Sequence, residues 1–266
     1  MKKRSYRSKV PFRISFGGGG TDMPDYCKYH TGAVINTTIR LFTHTSLELR
    51  DDTNITFKWV NKNEFEEHEF DSMLDCSYGL KLFKATHNHI FKRFKLEPIG
   101  YDVVTYQDVP TGSGLGTSST LIVSLIGVYM ELFNLPLGEY DIAEMAIQIE
   151  RVELGENGGK QDQYAAAFGG WNYTEFKGDD VIVNPLRIRD SVQDEFENNN
   201  DESLYDIFTI TYNGTLYKTQ PIEIFLDAIK LLIDESMENG NPIQVFFPGL
   251  GYSVQQADRV NKYMSD

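Results

Sequence analysis

Val109-Pro110-Thr111-Gly112-Ser113-Gly114-Leu115-Gly116-Thr117-Ser118-Ser119-Thr120-Leu121 decides how the rest of the chain is read. Gly112, Gly114 and Gly116 alternate with small residues, and Leu121-Ile122-Val123-Ser124-Leu125-Ile126-Gly127-Val128-Tyr129-Met130 follows as an apolar helix. Upstream, Tyr101-Asp102-Val103-Val104-Thr105-Tyr106 alternates as a strand, so the unit is strand, glycine loop, helix. Such a loop offers unblocked backbone N–H groups at the positive end of a helix, an arrangement that suits phosphate. It does not end in the Gly-Lys-Ser/Thr of a Walker loop, and it does not fit the dinucleotide fingerprint.

Composition narrows the partners. The 266 residues are 41% hydrophobic, enough to bury a proper core. A net charge of −14 argues against nucleic acid or an anionic membrane, which bind proteins rich in Lys and Arg. No run reaches membrane-spanning length, and Met1-Lys2-Lys3-Arg4 is followed by polar residues instead of an apolar leader. Cys27 and Cys76 are too isolated for a disulfide framework or a thiolate metal site. The expectation is a reduced, cytoplasmic protein with a local phosphate site; nothing in the pattern specifies an oligomeric state.

Outward from the glycine loop, the chain begins rich in strands. Lys9–Phe16 alternates and runs into Gly17-Gly18-Gly19-Gly20-Thr21-Asp22, a loop whose glycines each cost about 0.5–1 kcal/mol in a regular element. Residues 32–39, 43–50 and 54–60 read as further strands. A helix over 80–94 carries Leu82, Phe83, Ile90, Phe91 and Phe94 as its buried stripe. His87 and His89, two apart, fall on different faces, which disfavours a shared metal and leaves both as solvated histidines. Strands first and helices in the middle predict an α+β fold.

Two carboxylates stand out beyond the loop. Ile142, Ala146 and Ile149 recur on one helix face, and Glu150 follows beside it, where a carboxylate is costly unless paired or metal-bound. It is either a rim glutamate paired with Arg151 or the single buried acid that a phosphoryl-transfer site needs. After Gly155-Glu156-Asn157-Gly158-Gly159, a helix from Lys160 puts Asp162, Ala165, Ala166 and Gly169 on one face. Asp162 therefore either meets a closely packed neighbour or complements the helix dipole. Residues 171–176 and 181–186 close this part as strands.

Taken together, these segments resemble the GHMP kinases, the superfamily of galactokinase, homoserine kinase and mevalonate kinase. Pro110-x-x-x-Gly114-Leu115-Gly116-x-Ser118-Ser119 looks like the second signature of that superfamily. Pro11-Phe12-Arg13-Ile14-Ser15-Phe16-Gly17-Gly18-Gly19-Gly20-Thr21-Asp22 is similar to the first signature in its heptose 7-phosphate kinase and fucokinase branch. Gly158–Gly170 resembles the heptose kinase segment with the catalytic aspartate, and Ile149-Glu150-Arg151 matches the place of the magnesium-binding glutamate. The likeness runs from about Lys9 to Asn199.

The resemblance implies an ATP-dependent sugar kinase acting on the anomeric hydroxyl of a heptose 7-phosphate, on the route to GDP-heptose. Pro110, Gly112, Ser113, Gly114, Leu115, Gly116, Thr117, Ser118 and Ser119 would cradle ATP, while Ser118 and Glu150 would hold Mg²⁺. Asp162 would orient or deprotonate the hydroxyl, Arg13 from the sugar-contacting segment would be a further catalytic group, and Gly17, Gly18, Gly19, Gly20, Thr21 and Asp22 would bind the sugar. A kinase for another sugar such as fucose, or a truncated, catalytically inactive nucleotide- or sugar-phosphate-binding protein, stays open.

Past Asn199 the likeness ends. The family's third glycine-rich signature has no match, Pro248-Gly249-Leu250-Gly251 being the nearest run. The expected organisation is a kinase domain over 1–199, a linker over 200–206 and a βαβ segment over 207–266. That segment has strands at 207–217 and 243–249 around a helix at 221–238. It weakly resembles the start of the nucleotide-sugar-binding domain of two-domain glycosyltransferases.

Overall fold

The computed structural model describes residues 5–71, 73–110 and 113–189, together with the backbone of Phe208–Thr211 and Ile243–Phe246. The chain divides into two compact units, Met1–Leu186 and Arg187–Asp266.

The first unit is built on one mixed sheet. Its strands are β1 (Ser5–Gly17), β2 (Gly32–Leu49), β3 (Asn54–Trp59), β4 (Glu64–Glu69), β5 (Tyr101–Gln107), β6 (Trp171–Lys177) and β7 (Asp180–Pro185). They run in the order β4-β3-β5-β2-β6-β7, with β1 also paired to β2. The two strands expected at 32–39 and 43–50 are one continuous strand of 18 residues. Its length follows from its partners: β6 pairs with Gly32–Thr37, β5 with Thr43–Leu49, and β1 with residues from Ile35 to Glu48. β3 and β5 are parallel, and the other neighbours are antiparallel. The register of β1 shifts between Pro11 and Arg13 and again between Ser15 and Gly17, as β-bulges do where a strand re-aims its side chains.

The helices are α1 (Pro24–Cys27), α2 (Lys81–Phe94), α3 (Thr117–Phe133), α4 (Glu139–Ile147) and α5 (Gln161–Phe168), with a π-helix over Gln148–Glu153. α3 is apolar nearly all round, and Leu121, Ile122, Leu125, Ile126 and Tyr129 are wholly buried. A helix of that composition belongs at the centre of the core. Gly127 lets it approach β1, because a Cβ there would lie 2.6 Å from Ser8 Oγ. Phe57, Phe83, Phe91 and Tyr101 complete the core between sheet and helices. The α+β expectation matches this sheet with its helices.

The histidines of α2 depart from expectation. His87 is completely buried, because it shares a helix face with Phe83 and Phe91, four positions either side. Its Nε2–H donates to the Asp71 carbonyl at 2.6 Å, and its Nδ1 accepts from the Tyr101 hydroxyl, which in turn accepts from Tyr129 at 3.0 Å. Burial lowers its pKa to about 4. His89 is also largely covered and pairs through Nδ1 with Glu153 at 2.7 Å.

In the second unit β8 (Phe208–Thr211) and β9 (Ile243–Phe246) pair in parallel. The helix expected at 221–238 and the Pro248–Gly251 run lie outside the described residues.

Candidate active site

β5 ends at Gln107, and the glycine loop delivers the chain to the first turn of α3 at Thr117. Gly114 (φ +75°) and Gly116 (φ +79°) take left-handed conformations that other residues adopt only with strain. Gly112 lies outside the described residues, while Pro110, Ser113 and Leu115 flank the turn. Gly116 is the N-cap of α3, so the backbone N–H groups of Thr117, Ser118 and Ser119 form the open end of a 17-residue helix.

Asp162 meets that end. A Cβ on Gly116 would lie 3.1 Å from Oδ2 of Asp162, so the close neighbour expected from its helix face is the glycine loop itself. Arg13, projecting from β1 just past the first bulge, holds the carboxylate with two prongs. Its Nε donates to Oδ1 at 2.7 Å and its NH2 group lies 2.6 Å from the same oxygen. The third guanidinium nitrogen donates to the Gly114 carbonyl at 2.9 Å, so one side chain ties aspartate to loop. Both prongs use Oδ1, which leaves Oδ2 beside Gly116. Desolvation raises the pKa of Asp162; Arg13 opposes the rise, and the nearby charges of Asp22 and Glu150 add to it.

Glu150 sits in the π-helix, a wide turn that often marks functional positions. Its side chain is buried, and Oε2 accepts from Ser119 Oγ at 2.7 Å and from Gln163 Nε2 at 2.6 Å. Arg151 stands 3.7 Å from Oε1 and bonds the carbonyls of Glu156, Asn157 and Gly159, which fixes the loop leading to α5. The sequence reading set Ser118 beside Glu150, whereas the hydroxyl on that carboxylate is the one from Ser119. Successive helical residues point about 100° apart, so only one of the two serines can turn inward. Ser118 faces a separate cleft.

The Gly17–Asp22 loop borders α5. Gly18 (φ +82°) passes so close to β2 that a Cβ would lie 1.8 Å from the Ala33 carbonyl oxygen. Gly17 ends β1 just before that turn, Gly19 continues it, and the Thr21 hydroxyl donates to the Gly18 carbonyl at 2.7 Å. Asp22 is buried and accepts from the Gly20 N–H at 3.2 Å and from Gln161, through its backbone N–H at 3.0 Å and its amide at 3.2 Å. Its carboxylate therefore braces the loop to the start of α5, immediately beside Asp162.

Sequence reasoning missed the cleft next to Thr117 and Ser118. About 260 Å³ in volume, it is lined by Trp59, Lys62, residues 79–83 and Glu156. With Thr117 and Ser118 these come from four segments far apart in the chain, so no local pattern announces them. A larger cleft of about 560 Å³ lies between α2 and α4, but the glycine loop and Asp162 take no part in its walls. Among the described residues no group of three or more His, Cys, Asp or Glu could hold a metal, and no helix is long and apolar enough to cross a membrane.

Known proteins resemble this chain in sequence and fold. The family model for the GHMP kinases N terminal domain matches residues 81–170. A D-glycero-alpha-D-manno-heptose 7-phosphate kinase from Campylobacter jejuni is 47% identical over 195 residues, which cover 73% of this chain and 58% of that protein. The chain thus spans a little over half the length of that curated relative. A D-glycero-D-manno-heptose 1-phosphate kinase from Bacteroides thetaiotaomicron has a crystal structure that superposes with a TM-score of 0.70 at 38% identity, over 76% of this chain and 69% of that one. Galactokinase from Lactococcus lactis shares the fold, with a TM-score of 0.59 at 21% identity. Likeness of that extent makes this chain a member of the GHMP kinases, the family its glycine loop resembles.

Proposed function

We propose that the protein is an ATP-dependent sugar kinase that phosphorylates the anomeric hydroxyl of a heptose 7-phosphate. The observation that carries this reading is the Asp162 carboxylate, held by Arg13 through one oxygen and set with the other against the phosphate-binding end of α3. A sugar hydroxyl accepted by Oδ2 would lie where a terminal phosphate on the loop can be reached in line. In phosphoryl transfer such positioning and charge stabilisation make up most of the catalysis. The raised pKa of Asp162 supports its use as a proton acceptor for the hydroxyl.

Around that centre each segment has a part. The N–H groups from Ser113 to Ser119 take the phosphates, with Pro110 at the start of the loop and Gly112 as a further member of the ATP site. The cleft beside Ser118 takes the nucleoside, with the Trp59 ring as an apolar wall whose buried Nε1 has no hydrogen-bond partner among the described residues. The Gly17–Asp22 loop borders the sugar.

Magnesium fits the donors present. Glu150 is a buried carboxylate, and the neighbouring Gln163 Oε1 is a buried acceptor without a donor among the described residues. One carboxylate plus substrate phosphates is the usual company of this ion. Glu150 would be its protein ligand, with Ser119 and Gln163 orienting the glutamate, and Ser118 on the cleft side would reach it only together with the nucleotide phosphates. When bound, the ion supplies positive charge to the transferring phosphate.

The test is incubation with ATP, Mg²⁺ and heptose 7-phosphate, with the product followed by phosphorus NMR. A second, anomeric phosphate resonance and stoichiometric ADP support the reading. ADP release with fucose or galactose but not with the heptose would reassign the substrate.

A further inference from the structure

One buried charged cluster lies outside the catalytic groups. Glu66 projects from β4, and its Oε1 accepts from the backbone N–H of Leu80 at 2.5 Å. Its Oε2 lies 2.9 Å from His68 Nε2 and 3.2 Å from Lys84 Nζ. Lys84 is wholly buried, and its ammonium rests 3.8 Å from the centre of the Tyr78 ring. Gly79 (φ +59°) sits so tightly against the glutamate that an added Cβ would lie 1.9 Å from Oε1.

The residues gripped in this way are the far wall of the small cleft. Gly79, Leu80 and Lys81 line it opposite Thr117 and Ser118. Leu80 is the N-cap of α2 and has no side chain of the usual capping kind. Glu66 supplies from another strand the negative charge that this helix end lacks. A buried lysine–glutamate pair adds little net stability over an apolar filling of the same shape, and what it does add is one defined geometry. Here that geometry is the separation between the Gly79–Lys81 wall and the first turn of α3.

We infer that Glu66 is a positioning residue for nucleotide binding, setting through Leu80 and Gly79 the width of the cleft that takes the nucleoside. The inference rests on the nucleoside reading of that cleft. Lys84 holds the carboxylate in place, and Gly79 allows the close approach.

The experiment is calorimetric titration of ATP with Mg²⁺ into the full chain, its Glu66→Gln variant and its Gly79→Ala variant, beside steady-state kinetics for both substrates. Glu66→Gln removes the charge that Lys84 and the helix end recognise, and Gly79→Ala keeps every charge but drives a methyl against the Glu66 carboxylate, so that carboxylate and wall must shift apart. Both should weaken ATP binding about tenfold. The KM for the sugar and kcat should stay within about twofold of the unmodified chain. A residue that only stabilises the fold would lower the melting temperature and leave ATP affinity alone, and that result overturns the inference. Equal losses for ATP and sugar overturn it too. Should Glu66→Gln fail to fold, Gly79→Ala gives the same decision. Absence of ATP binding by the unmodified chain would remove the nucleoside reading itself, and with it this inference. Normal binding by both variants would remove the inference alone.

Discussion

At the scale of single residues, Arg13 and Asp162 make the sharpest claims. Asp162→Asn keeps shape and hydrogen bonding but cannot accept the proton, so turnover should fall about 10²–10⁴-fold while ATP affinity holds. Parallel kinetics and ATP titration check this, and unchanged turnover would take the base role from Asp162. Arg13 lowers a pKa that burial raises, so its loss should raise that pKa further. The basic form of Asp162 would then be depleted at higher pH, and the acid limb of kcat should move upward in Arg13→Met. An acid limb that stays in place would mean Arg13 does not tune the aspartate.

His87 gives a stability prediction of the opposite kind. Its folded pKa of about 4 lies below the ordinary 6.5, so protonation favours the unfolded chain. The neutral histidine's contribution is complete above about pH 6.5 and is lost as pH falls toward 4. Denaturant unfolding at pH 5 should show about 2 kcal/mol less from this group than at pH 7. A His87→Phe chain should lack that part of the slope; an identical slope would place the pH sensitivity elsewhere.

At the scale of elements, the glycine loop and the π-helix carry the site. Gly116→Ala forces a residue with a side chain into φ +79° and pushes a methyl to 3.1 Å from the Asp162 carboxyl. It should cost about 1–3 kcal/mol of stability and reduce turnover more than nucleotide binding. Melting curves with matched kinetics report both, and a neutral effect would separate loop geometry from Asp162. Glu150→Gln should raise the magnesium concentration needed for half-maximal rate, and an unaltered magnesium curve would remove Glu150 from the metal.

What was legible in the sequence follows the same elements. Strand alternation and the apolar α3 announced the sheet and its central helix, because burial on one face or on all faces writes a local period. The acidic run Glu64-Phe65-Glu66-Glu67-His68-Glu69 gave no sign of β4, since acidic side chains are depleted in strands and this one is recruited by pairing with β3. Glu150 was found by extending a 3.6-residue period that the π-helix interrupts at Gln148. Its bond to the Ser119 hydroxyl depends on how that turn packs against α3, which no local period shows. His87 was misjudged because a histidine's fate depends on neighbours from Asp71 and Tyr101, which the helix pattern cannot show. The Arg13–Asp162 bond joins positions 149 apart in sequence, and no spacing rule reaches that far.

At the scale of the whole molecule, the unit Met1–Leu186 holds the sheet, the core and every group assigned to catalysis. A chain ending at Leu186 should therefore melt cooperatively and bind ATP, and a failure of both would make the second unit part of the fold. The central claim is phosphoryl transfer directed by Asp162 to a heptose phosphate. It is tested most directly by phosphorus NMR of the full chain with ATP, Mg²⁺ and heptose 7-phosphate, run beside Asp162→Asn. An anomeric phosphate signal that grows with the unmodified chain and is lost with the variant is the predicted result. Persistence of that signal in the variant, or ATP bound tightly with no product from the unmodified chain, would contradict it.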